Sequence, residues 1–190
     1  MNRATVREST HVLWRRLDRP GHEAARLIEA DGWLELMGTA VFAEGGEACR
    51  LDYHITCDGA GQTRNVSVNG WHGASVIQLE IEADAERRWL LNGVGCADVD
   101  GCADIDLSFS PSTNTLPIRR LTPRIGQRFA VRAAWLRFPE CALEPLDQIY
   151  ERMTSSTYRY ESNGGQFEAY LKVDDRGFVT SYPGLWRKAI

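Results

Sequence analysis

Arg50-Leu51-Asp52-Tyr53-His54-Ile55-Thr56-Cys57, followed by Asp58-Gly59, is the stretch that decides the fold. Leu51, Tyr53, Ile55 and Cys57 share one parity, and Arg50, Asp52, His54 and Thr56 the other. Successive side chains of an extended chain point to opposite faces, so this is a strand with one face for a core and one for water. Asp58-Gly59 then turns the chain.

The same alternation recurs outward from there. Ile77, Leu79 and Ile81 alternate with Gln78, Glu80 and Glu82, and Phe129, Val131, Ala133 and Trp135 alternate with Arg128, Ala130, Arg132 and Ala134. Tyr158 and Tyr160, then Phe167 to Val173, then Phe178 to Tyr182 make a three-stranded meander around Asn163-Gly164-Gly165 and Asp174 to Gly177. Pro20-Gly21, Asp31-Gly32, Gly45-Gly46, Asn69-Gly70 and Asn92-Gly93 mark further turns. More than ten strands follow, with one short helix expected over Asp147 to Met153. The chain therefore reads as a single all-β, mainly antiparallel domain over 1–190, curled into a large β-barrel or half-barrel. A barrel of many strands can keep a cavity.

The bulk numbers narrow the function. A length of 190 residues, 43% hydrophobic and 25% charged, suits one soluble globular domain. A net charge of −4 argues against a nucleic-acid partner. Eight acidic residues between Glu80 and Asp106 face six arginines and no acid between Arg119 and Arg137. The two blocks pair if the fold joins them, and leave an anion-binding face if it does not. No signal peptide and no run of about 18 apolar residues is present, so a cytoplasmic chain without a transmembrane segment is expected. Cys49, Cys57, Cys96, Cys102 and Cys141 are spaced as reduced thiols, and no Cys/His cluster predicts a metal or cofactor.

Asp104 to Leu121 carries the chemistry. Asp104, Asp106 and Ser108 share a strand face opposite Ile105, Leu107 and Phe109, which sets the two carboxylates about 7 Å apart. Such a pair can act as acid and base or simply pair with arginines on neighbouring strands. Pro111 and Pro117 disfavour helix, so Ser110 to Thr115 reads as a crossing loop followed by an extended segment. On that segment Arg119 and Arg120 point to opposite faces, and the inward one must meet Glu23, Asp104, Asp106 or an anionic headgroup. The six tryptophans and six tyrosines either pack a solid core or line a cavity.

The run Gly101-Cys102-Ala103-Asp104-Ile105-Asp106-Leu107, with Pro111 and Thr113-Asn114-Thr115-Leu116-Pro117-Ile118-Arg119-Arg120-Leu121, resembles the core of a bacterial family described as "putative glycolipid-binding", formerly of unknown function. Trp14, Gly21 and Glu23, Tyr53, Thr63-Arg64, Trp89 with Asn92-Gly93, Tyr158 and Tyr160, and Tyr182-Pro183-Gly184-Leu185 extend the likeness over most of the chain. Gly59-Ala60-Gly61-Gln62 departs from the family pattern. The resemblance implies a lipid-carrier-like barrel or half-barrel, a hydrophobic cavity and a part in glycolipid binding or transport. It supplies no catalytic residue.

The expected function is thus non-enzymatic binding of a small amphipathic ligand, a lipid or glycolipid. Asn114, Arg119 and Arg120 are the candidates for its headgroup, and Tyr53, Phe109, Trp135, Trp14 and Tyr182 for the aromatic lining. The alternatives are a glycoside or ester hydrolase using Asp104 and Asp106, and an interaction protein with a filled barrel. No Gly-x-Ser-x-Gly elbow supports the former.

Overall fold

The computed structural model describes residues 8–30 and 32–190. Fifteen strands occur among them. The first eight are β1 (Glu8–Arg16), β2 (Gly21–Ala30), β3 (Trp33–Glu44), β4 (Glu47–Cys57), β5 (Thr63–His72), β6 (Ser75–Ala83), β7 (Trp89–Leu91) and β8 (Val94–Gly95). The rest are β9 (Asp104–Leu107), β10 (Arg128–Arg137), β11 (Ala142–Arg152), β12 (Thr157–Ser162), β13 (Phe167–Val173), β14 (Val179–Tyr182) and β15 (Trp186–Lys188), with one α-helix, α1 (Thr115–Leu121), between β9 and β10.

All fifteen strands belong to one curled, open sheet. From edge to edge the order runs from β8 back to β1, then from β15 back to β9. Two meanders therefore meet at a seam, where Trp14, Arg15 and Arg16 of β1 pair with Lys188, Arg187 and Trp186 of β15. Neighbours are antiparallel except β9 and β10. The ladder does not close, but β9 is tied to the start of β5: Thr63 N donates to Ala103 O at 3.0 Å, and Ile105 N to Thr63 Oγ1 at 3.1 Å. Arg87 clamps the same place through Thr63 O, Cys102 O and Ala103 O.

Alternation produces this curvature with a buried inner face. Leu51, Tyr53, Ile55 and Cys57 of β4 are buried as their parity requires, and so are Ile77, Leu79 and Ile81 of β6. Trp14, Trp89 and Trp186 are core residues, whereas Trp71 is exposed. Among the described residues no helix is long and apolar enough to cross a membrane.

Three local expectations are corrected. Asp147 to Met153 is not a helix, because Ala142–Arg152 is β11. There Leu146, Gln148 and Tyr150 point inward, and the polar Gln148 hides the alternation. Pro145 is tolerated because β12 pairs with β11 only from Gln148 onward. Asn69-Gly70 lies inside β5, and the turn comes at Gly73 and Ala74. A Cβ on Gly70 would stand 1.9 Å from Arg50 O, so glycine permits a close approach of β4 rather than a reversal. Thr115 to Leu121 is helical, not extended. Of the expected turns, Asp31-Gly32 includes Asp31, which lies outside the described residues.

Candidate functional site

The concave side of the sheet is filled by the chain itself. Every residue from 109 to 118 is buried. Ser112–Asn114 forms a 3-10 turn that runs directly into α1. Pro117 is accepted because it sits in the first helical turn, where its missing N–H would have had no partner. Arg119 and Arg120 occupy the last turn and complement the helix dipole, and Thr122, at φ 39°, ends the helix.

Both arginines have structural partners. Arg120 Nε donates to Asp104 Oδ1 at 3.2 Å, and its Nη2 reaches the other oxygen. Asp104 is only 1% exposed, so both faces of β9 are buried and the pair is internal rather than an outward ladder. The acidic and arginine-rich blocks thus meet here. Arg119 bridges Glu29 and donates to Arg176 O at 2.6 Å. Gly61, in the loop that departs from the family pattern, leaves room for the Arg120 stem: a Cβ there would stand 3.4 Å from it.

A second buried carboxyl, Glu23 of β2, is held by hydroxyls. Tyr53 Oη and Ser110 Oγ each donate to Glu23 Oε1 at 2.6 Å. Tyr53 Oη lies 2.7 Å from Ser112 Oγ, and the two serine oxygens are 2.6 Å apart. With Tyr53 and Ser110 donating to Glu23, the Ser112 hydroxyl has one proton for the two remaining contacts of the ring. Burial pushes the Glu23 carboxyl up to about 7, against the opposing pull of Ser110, Tyr53 and Arg16. Glu23 Oε2 is buried without a partner, as is Arg16 Nη1. The Arg16 guanidinium is gripped by Asp18 and lies 5.0 Å from the ring centroids of both Phe42 and Trp186. Gly38 makes the ring geometry possible: a Cβ there would stand 2.4 Å from Tyr53 Oη and 2.7 Å from Ala24 O.

Beside this ring lies a cavity of about 230 Å³. Its walls include Ser110, Asp106, Asn114, Trp135, Tyr160, Ser162, Phe167, Tyr182 and Trp186. Gln148 Nε2 donates to Asp106 Oδ2 at 2.6 Å and to Tyr160 Oη at 3.0 Å. Tyr150 Oη donates to Asn114 Oδ1 at 2.8 Å, which fixes the amide of the buried 109–118 segment against β11. Burial pushes Asp106 up to about 6, with Gln148 opposing and Asp104 reinforcing the shift. A larger cleft of about 760 Å³ lies at the β7–β8 edge, where Arg88 pairs with Asp84 and Arg64 with Asp58.

Of the residues singled out from the sequence, Asn114, Trp135 and Tyr182 come together on this cavity. Tyr53 belongs to the Glu23 ring. Phe109 packs against Phe42, Tyr53 and Phe138, and Trp14 is fully buried, donating from Nε1 to Val179 O at 2.6 Å. Arg119 and Arg120 lie outside the cavity and line a separate cleft with Leu116, Gly61 and Glu29. Sequence reasoning missed Gln148, Tyr160, Phe167 and Trp186 as wall or support, although the parity of β12 and β13 placed the Tyr160 and Phe167 rings inward.

A family model described as "Putative glycolipid-binding" matches residues 11–188. The chain belongs to that family. A crystal structure of a DUF1089 family protein from Pseudomonas aeruginosa is 31% identical, covers 98% of this chain and 95% of its own, and superposes with a TM-score of 0.74. No curated protein matches the chain. The family match spans both halves of the sheet and the buried segment 109–118 between β9 and β10.

Proposed function

We propose that the protein binds a glycolipid and releases it unchanged, with the headgroup seated in this half-open cavity. The observation that carries this reading is the lining, where Trp135, Phe167, Tyr182 and Trp186 stand beside Asn114, Ser110 and Ser162. Flat rings suit the apolar faces of a sugar, and convergent amide and hydroxyl groups suit its hydroxyls. Pockets for drug-sized ligands span about 300–1,000 Å³. At about 230 Å³ this one takes a single ring and leaves an acyl chain outside. The family description supports a glycolipid as the ligand class.

Binding is favoured over hydrolysis by the state of the carboxylates. A hydrolase built on the Asp104–Asp106 pair would need Asp104 as acid or base, and Arg120 already engages both its oxygens. The test is calorimetric titration of the protein with octyl glucoside and with octanol, together with Trp135→Ala. Glycoside binding at one site, weakened about tenfold or more by Trp135→Ala, is expected if that ring is a binding anchor. Equal affinity for octanol, or an unchanged Trp135→Ala variant, would reject the reading.

A further inference from the structure

The cavity walls carry one carboxylate, Asp106, and no lysine, arginine or histidine. Asp106 Oδ2 takes the Gln148 amide, while its other oxygen and Tyr182 Oη take no hydrogen bond from the described residues. Two of the surrounding rings already attract cations from outside the wall. Arg16 stacks on Trp186 at 5.0 Å, and Arg137, ion-paired to Glu140 and Glu144, stacks on Trp135 at 5.5 Å. Three rings remain free of such a partner. Tyr160, Phe167 and Tyr182 stand mutually 6.0 to 6.1 Å apart at steep angles, next to Asp106. Tilted aromatic faces gathered beside a carboxylate are the chemistry that recognises an ammonium group.

We propose that the cavity selects a headgroup bearing an ammonium, as an amino sugar or an alkylammonium does, held between Asp106 and the faces of Tyr160, Phe167 and Tyr182. This rests on the binding role proposed above and adds its selectivity. An anionic headgroup is disfavoured, because no cation lines the wall to meet it.

The affinity should follow the charge of Asp106. The groups facing it are Asp104 on its own strand, already paired with Arg120, the Gln148 amide and the Tyr150 phenol from β11, Tyr160 from β12 and Tyr182 from β14. Burial holds the three phenols above their usual range, so they stay neutral where Asp106 titrates.

Calorimetry with octyl glucoside, its 2-amino-2-deoxy counterpart and octyltrimethylammonium tests the proposal. At pH 7 the amino glycoside should bind about tenfold tighter than the neutral one, within the range of desolvated cation–ring contacts. Octyltrimethylammonium, whose charge is permanent, should gain about tenfold between pH 5 and 7 as Asp106 ionises. Asp106→Asn keeps an acceptor for Gln148 and should abolish both effects, with an unchanged melting temperature reporting that the cavity is folded. Tighter binding of octyltrimethylammonium than of the amino glycoside would support the proposal and identify an alkylammonium lipid as the source. Equal affinity for neutral and amino glycosides would overturn it and leave the binding role standing. Failure of all three probes to bind would overturn the binding role itself.

Discussion

Replacing Glu23 by glutamine should change how stability depends on pH. In the unfolded chain this carboxyl ionises near 4.5, whereas in the fold it keeps its proton until about 7. A raised folded pKa for an acid means that full stability is present below pH 4.5, is lost as the unfolded state ionises first, and levels off above pH 7. The full difference is worth about 3 kcal/mol, at about 1.4 kcal/mol for each pH unit of separation. Between pH 5 and pH 8 the wild type should therefore lose about 2.5 kcal/mol from this group alone. Asp104 and Asp106 are also raised and add slopes of the same sign, but they are present in both proteins. The difference in slope between wild type and Glu23→Gln isolates Glu23. Urea unfolding at pH 5, 6, 7 and 8, with ΔG from each curve, measures it. Glutamine places an amide where the carboxyl feels the charge of Arg16, so the prediction concerns the slope rather than the absolute stability. Parallel pH profiles for the two proteins would refute the raised pKa of the buried Glu23 carboxyl.

Arg120→Ala should destabilise by about 3–5 kcal/mol by leaving Asp104 buried without its cation, and Asp104→Asn in the same chain should recover part of that loss in chemical denaturation. Gly38→Ala should cost about 1–3 kcal/mol as the new methyl displaces Tyr53 from Glu23, read as a lower melting temperature that Tyr53→Phe alone does not reproduce in full.

The architecture was legible wherever one face of a strand was apolar and the other polar. Arg50 to Cys57 and Ile77 to Ile81 carry that pattern without interruption, and both fall in the strands it predicts. β11 was masked because Gln148 points inward to serve Asp106 and Tyr160, so the polar residue stands where the pattern calls for an apolar one. α1 was masked by Pro117, which breaks a helix interior but not its first turn. The short polar run Ser112-Thr113-Asn114 and the basic last turn were present as signals. The site was legible only in part. Asn114 and Trp135 could be placed, but the partner of Glu23 lies 87 residues away at Ser110, and no local pattern encodes such a pairing.

Trp186 gives the seam a meaning beyond topology. The β1–β15 ladder that joins the two meanders consists of only three residue pairs, besides the tie of β9 to β5. One of those pairs is Arg16 with Trp186, and the same indole forms a wall of the cavity. A guest pressed against that wall would favour the joined halves by mass action. Occupancy and mechanical cohesion are then coupled through one ring, and a protein pulled apart along β1 and β15 should resist more when loaded than when empty.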